Sequence, residues 1–195
     1  AYHSQNLGIP ASIVMPHFTP FTKVRQTQGF GARVSLQGQT LEESKAHADQ
    51  LAEREGLTFI HPYDDDDIIA GQGTVALEIL ADVPKIDTLI VPIGGGGLIS
   101  GCAIAAKHLN PNIELVGVEA ALYPSMCRAL KGHQMEVGGQ TIADGIAVKA
   151  ISKRTLAIAS ELVDDVVTVT EAQIEEAILL FLEVEKTVTE GAGAT

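Results

Sequence analysis

The sequence predicts an α/β fold built on parallel sheets, and three observations lead there. Short apolar runs alternate with helical patterns of roughly 10–15 residues, the rhythm of strand–helix–strand units. The run from Asp87 to Ile93 is apolar after its first residues, which predicts a central parallel strand covered on both faces. Four consecutive glycines, Gly94 to Gly97, then join that run to an apolar helical segment.

The elements follow in order. Ala1 to Gly8 has the character of the last turns of a helix ending at a glycine. Ala11 to Pro16 is a short apolar strand closed by proline. Pro20 to Gln28 predicts a helix stopped at Gly29. Ala32 to Leu36 alternates and predicts a strand with one wetter face. Thr40-Leu-Glu-Glu43 is a capping-box pattern that opens a helix running to Gly56. Leu57 to Ile60 is read as another strand. Asp67 to Ala81 is helical, Leu98 to Asn110 is a helix stopped by Pro111, and Ile113 to Val118 is a strand. Val166 to Val169 is the last strand. Thr170-Glu-Ala-Gln173 opens a helix whose Ile174, Ala177, Ile178, Phe181 and Leu182 form one stripe. A domain boundary is expected between Gly56 and Pro62.

Composition removes several function classes. With 195 residues and 46% hydrophobic content, the chain can bury a core without staples. A net charge of -12 opposes binding to a nucleic-acid backbone, and 4% aromatics with no Trp opposes base stacking. Two cysteines, Cys102 and Cys127, fit a reducing compartment, so a cytoplasmic location is expected. Thr88 to Ala106 carries no charge, yet Pro92 and its glycines read as strand, turn and helix rather than as a membrane span.

The chemistry concentrates at Ile90-Val-Pro-Ile-Gly-Gly-Gly-Gly-Leu-Ile-Ser-Gly101. Glycines between a buried strand and a helix let a ligand approach free N–H groups at the positive end of the helix dipole. A phosphate or carboxylate is the natural guest. The nucleotide signatures fail. Gly96 and Gly101 have Walker spacing, but Cys102-Ala103 stands where Lys-Ser/Thr is needed. Gly95-x-Gly97-x-x-Ser100 misses the dinucleotide fingerprint by one residue, although Glu119 ends the next strand at a distance suited to a ribose. Ser100 directly before Gly101 excludes a nucleophile elbow.

Seven stretches in order resemble one family: Ile13–Pro16, Phe59–Pro62, Ile68–Thr74, Val91–Gly101, Gly117–Glu119, Thr141–Gly145 and Glu190–Ala194. They resemble the fold-type II pyridoxal-phosphate enzymes, specifically the threonine/serine dehydratases and their serine racemase relatives. The resemblance implies two parallel-sheet domains of the tryptophan synthase beta-like type, truncated at both ends. Residues 1–57 would be the second half of a small N-terminal domain, and 58–195 a large phosphate-binding domain lacking its C-terminus. It implies pyridoxal 5'-phosphate as cofactor, its phosphate held by the amides of Gly94, Gly95, Gly96, Gly97 and Leu98. Gly145 would lie beside the cofactor ring, and Glu190 near the pyridine and the substrate. Glu119 matches a glutamate that binds a divalent cation in some relatives. Its companion carboxylate should stand at Ser125, so no metal is expected. Phe30 matches an aromatic that contacts nucleotide effectors in some relatives, against a packing role.

The family's Schiff-base lysine sits in a Ser-x-Lys-x-Arg-Gly motif that none of the eight lysines here occupies, and its Ser-x-Gly-Asn-His loop is missing too. The chain is therefore expected to be an internal fragment without the catalytic lysine. The implied parent activity is dehydration and deamination of L-threonine, and of L-serine, to 2-oxobutanoate or pyruvate and ammonia. A serine racemase-like isomerase and a non-catalytic phosphate- or nucleotide-binding module are the alternatives. The partners implied are a small amino-acid substrate, a nucleotide effector in some relatives and a second copy of the chain, with no nucleic acid and no membrane.

Two other patterns have bland readings. Asp64 to Asp67 lacks the spacing of a calcium loop and is expected to cap and charge a helix N-terminus. His3, His17, His47, His61, His108 and His133 show no zinc spacing, and Cys102 is expected in the core.

Overall fold

The computed structural model describes residues 1–132 and 136–195, so His133 lies outside the described residues. It divides into two compact units, Ala1–Ile60 and His61–Thr195.

In the first unit, α1 (Tyr2–Asn6), β1 (Ser12–Met15), α2 (Phe21–Gly29), β2 (Arg33–Leu36) and α3 (Leu41–Glu55) follow one another. β1 and β2 pair in parallel from Ser12↔Arg33 to Met15↔Leu36, with α2 as the crossover. Thr40 caps α3 by accepting from the Glu43 N–H at 3.1 Å. The Glu43 carboxylate turns back to the Gln39 N–H at 2.6 Å, one residue further than the sequence pattern implies. Gly56 ends the helix in the left-handed conformation. Phe30 packs edge-on against Tyr2 with ring centroids 5.4 Å apart, which accords with its packing role.

The strand expected at Leu57–Ile60 does not form. These residues belong to no strand and have no ladder partner among the described residues, and Ile60 is 66% exposed. A β-branched or aromatic run becomes a strand only where a neighbouring backbone supplies hydrogen bonds.

The second unit comprises α4 (Asp66–Asp82), β3 (Thr88–Pro92), α5 (Gly97–Leu109), β4 (Glu114–Ala120), α6 (Ser125–Lys131), a 3-10 turn (Asp144–Ile146), α7 (Lys153–Leu162), β5 (Asp165–Val169), α8 (Glu171–Glu183) and a second 3-10 turn (Gly191–Ala194). The sheet order is β3-β4-β5, all parallel. Among the described residues β4 is central, β3 is an edge, and Ile90 is 64% exposed. An apolar composition records that a strand is built to be covered, not which strands flank it.

The core lies between the sheet and α4, α5 and α7, around Ile99, Ala103, Ala106, Leu115 and Met126. Cys102 belongs to it, and both cysteines are buried and free. α4 crosses α5 at close range. A Cβ on Gly101 would collide with the Ile69 carbonyl and come within 2.6 Å of the Gly73 nitrogen.

The acidic run behaves as expected. Asp65 is the N-cap of α4 and accepts from the N–H of Asp67 and Ile68, while Asp66 and Asp67 occupy its first turn. Arg154 of α7 adds ion pairs to Asp64 and Asp66. α8 opens on a complete capping box at Thr170 and Gln173. Of its stripe, Ile174 is buried and Ala177 and Ile178 pack beside it, whereas Leu182 is half exposed. The sequence reading did not anticipate α6 and α7. No helix of the described residues is long and apolar enough to cross a membrane, and the uncharged 88–106 stretch is divided between β3, a turn and α5.

Candidate functional site

The carboxyl ends of parallel strands leave a crevice where connecting loops meet, and ligands of open α/β sheets bind there. At the end of β3, the Ile93 N–H still reaches the Val118 carbonyl at 2.7 Å. Beyond it the chain leaves the sheet through Gly94, Gly95 and Gly96. Gly96 is the N-cap of α5 with φ +89, a conformation that excludes most side chains. The first helical bond runs from the Ser100 N–H to the Gly96 carbonyl at 3.0 Å. The N–H groups of Gly97 and Leu98 therefore have no partner inside the helix. Those of Gly94, Gly95 and Gly96 donate to no backbone carbonyl of the described residues. Five consecutive amides thus lie at the N-terminal end of α5, where the helix dipole is positive.

The glycines have a second explanation, which the sequence did not reveal. Tyr63 packs its ring against Gly95, where a Cβ would collide with it, and a Cβ on Gly97 would come within 2.9 Å of the Tyr63 Cβ. A Cβ on Gly96 would meet the Thr155 Cβ at 2.9 Å, and one on Gly94 would meet the Ile146 Cα at 3.1 Å. Close packing leaves no room for a side chain at Gly95, Gly96 or Gly97 and little at Gly94. The case for an anion rests on the unpaired amides rather than on the glycines themselves.

Ile146 belongs to the 3-10 turn that carries Gly145, so the turn sits directly beside the glycine loop. The approach to this turn is held by Glu171. Its carboxylate accepts from the Thr141 hydroxyl at 2.8 Å and the Ile142 N–H at 2.9 Å. Gly145 in turn faces the start of the second 3-10 turn. A Cβ on it would lie 3.2 Å from the Ala192 Cβ and 3.3 Å from Glu190 Oε1. The structure therefore joins Gly94–Leu98, Gly145 and Glu190 in one continuous neighbourhood. Gly145 and Glu190 are exposed, whereas Gly95 to Gly97 are buried.

Glu119 is elsewhere employed. It is fully buried, and its carboxylate accepts from the N–H of Met126 at 2.7 Å and of Cys127 at 2.9 Å, in the first turn of α6. Burial pushes its carboxyl above the ordinary value, and the hydrogen bonds from the α6 amides oppose that rise. Ser125 donates to the Val148 carbonyl at 2.6 Å. Among the described residues no cluster of three or more His, Cys, Asp or Glu could hold a metal.

Sequence reasoning missed Tyr63, Thr155 and Glu171. Thr155 had a local signal. Ser152-Lys-Arg-Thr155 is an N-cap spacing, and Ser152 does accept from the Thr155 N–H at 3.1 Å. Tyr63 had none, because its contact with the glycine loop is purely tertiary.

The site fits a phosphate monoester, since unpaired amides at a helix N-terminus complement its charge and its oxygens. Comparison with known proteins points the same way. A family model described as pyridoxal-phosphate dependent enzyme matches residues 1–195. An L-threonine ammonia-lyase of Thermotoga maritima is 44% identical over all of this chain and 49% of its own length. The structure of maize serine racemase superposes with a TM-score of 0.92 at 36% identity, over 99% of this chain and 59% of that one. A threonine deaminase isoform 2 of Solanum lycopersicum gives a TM-score of 0.88 at 38% identity, over 97% and 53%. The chain spans about half the length of the curated relatives it matches.

Proposed function

The chain belongs to the pyridoxal-phosphate dependent enzymes, and on that premise we propose that the protein carrying it converts L-threonine, and L-serine, to 2-oxobutanoate or pyruvate with release of ammonia. Water is lost from Cα and Cβ and is regained when the nitrogen leaves, so the net products are the 2-oxo acid and ammonia. The observation that carries this reading is the run of five amides, Gly94 to Leu98, that donate to no backbone carbonyl among the described residues, beside Gly145 and Glu190. The 44% identity to an L-threonine ammonia-lyase supports the substrate class.

When bound, pyridoxal phosphate supplies an electron sink for the pair left on Cα as its proton departs. The residues of this chain have the remaining tasks. The amides of Gly94 to Leu98 hold the phosphate and so fix the direction in which the ring extends. Gly145 carries no side chain to block a flat ring against the turn. The Glu190 carboxylate, beside Gly145, orients polar groups of ring and substrate. Residues 1–57 would form the second half of a small domain and 58–195 the phosphate-binding domain. A cytoplasmic homo-oligomer accompanies this reading, and the packing of Phe30 on Tyr2 gives no support to a nucleotide effector there.

The test is made on the full-length protein, following 2-oxobutanoate from L-threonine together with bound cofactor. Replacing Gly96 by Val should empty the protein of pyridoxal phosphate. Full cofactor content in that variant would refute the phosphate role. The likeness to maize serine racemase supports one second reading, isomerisation of L-serine. Chiral chromatography separates the two, since D-serine in place of pyruvate would replace the dehydratase reading.

A further inference from the structure

One side chain that neither the sequence motifs nor the proposed reaction uses is aimed at the glycine loop. Thr155, on the first turn of α7, is fully buried. Its hydroxyl donates to the Gly95 carbonyl at 3.0 Å, across 60 residues of sequence. The Ser152 hydroxyl, 3.0 Å away, lies in position to complete a short relay with it. Tyr63, Ile146 and the Thr155 Cβ also pack against the loop. The hydrogen bond to Gly95 is different, because it acts on the orientation of a peptide plane.

In a trans peptide the carbonyl and the N–H point in opposite directions across one rigid plane. The Gly95 carbonyl and the Gly96 N–H belong to the same plane. A carbonyl drawn toward α7 therefore turns the Gly96 N–H away from α7. With φ +89 at Gly96 and glycine on both sides, little else in the backbone resists rotation of this unit. We infer that Thr155 is a positioning residue: it holds the Gly95–Gly96 peptide so that the Gly96 amide faces the phosphate of the ligand. The inference rests on the proposed reading that the loop takes a phosphate monoester. It makes Thr155 a determinant of the preference for a phosphorylated ligand over its unphosphorylated counterpart.

The experiment compares the affinity of the full-length protein, stripped of cofactor, for pyridoxal phosphate and for pyridoxal. Four proteins are measured: wild type, Thr155→Val, Thr155→Ser and Gly96→Val. Valine keeps the shape of Thr155 and removes the donor, whereas serine keeps the donor. Loss of one hydrogen bond to a charged group corresponds to about 10- to 100-fold in affinity. The expected result is that Thr155→Val loses that factor for pyridoxal phosphate alone and that Thr155→Ser restores it. An equal loss for both ligands would reduce Thr155 to a packing role and overturn the inference. An unchanged preference in Thr155→Val, with collapse in Gly96→Val, would overturn it while leaving the phosphate reading intact. No loss in either variant would remove the phosphate reading itself. Should Thr155→Val fail to fold, Thr155→Cys takes its place. Its thiol is a weak donor, so the preference should fall part of the way, and an unchanged preference overturns the inference.

Discussion

Replacing Glu119 by Gln probes how β4 is tied to α6. The wild-type carboxylate accepts two N–H bonds, from Met126 and Cys127, in a fully buried setting. Glutamine preserves the volume but offers one acceptor oxygen, and its amide nitrogen must face the second N–H. One buried donor is left without a partner, a loss of about 1–3 kcal/mol. The pH dependence has a definite sign. The folded-state value is raised above the ordinary 4.5, first by desolvation, so the folded protein holds this proton longer than the unfolded chain. Its contribution is full below the unfolded value and fades as pH rises through the folded value. The amide introduced by Glu119→Gln does not titrate, so the gap between wild type and variant should narrow as pH climbs from about 4.5 upward. Urea unfolding of the full-length protein across that range measures both quantities. A destabilisation within about 0.5 kcal/mol at every pH, the range of an ordinary surface change, would refute the argument. So would a rise in wild-type stability on adding a divalent cation that Glu119→Gln abolishes, because it would make the carboxylate a ligand rather than a cap.

Two further perturbations test the packing. Gly95→Ala drives a methyl into the Tyr63 ring, and overpacking of this kind costs roughly 1–3 kcal/mol. A double-mutant cycle with Tyr63→Ala should show part of that loss relieved, and a coupling near zero in urea unfolding would contradict the contact. Asp164 accepts from the Leu115 N–H at 2.7 Å and from Lys107 at 2.8 Å, and these bonds, the backbone one first, hold its carboxyl below the usual 3.8. Its stabilisation is present above that value and disappears as pH falls through the depressed one. Because the side chain is 43% exposed, the effect stays under about 1 kcal/mol. Asp164→Asn should flatten the acid limb of the stability curve, and an unchanged limb would count against it.

Much of the fold was legible locally. The caps at Thr40, Asp65 and Thr170, the glycine that ends α3 and the strand–helix alternation are short-range signals, and each appears where the residues place it. Helix α7 was legible but unread: Ser152 caps it, and Leu156, Ala159 and Leu162 line the face turned to the core. The strand expected at 57–60 does not form, and the order of the strands was not legible, for a shared reason. Strand formation and strand order depend on which backbones lie alongside, and a single run of residues does not contain that information.

The same division holds at the candidate site. The run Gly94 to Gly97, its place between a strand and an apolar helix, and the motifs around Gly145 and Glu190 are properties of the sequence, because amide supply and turn chemistry are written in consecutive residues. What the glycines touch is not. Tyr63 lies 32 positions before Gly95, Thr155 lies 60 after it, and both reach the loop only once α4 and α7 have packed around α5. The sequence places a run of glycine amides at the head of α5, the supply that an anion site there would draw on. Tertiary packing decided which side chains press on the loop, because Tyr63 and Thr155 meet it only through segments distant in sequence.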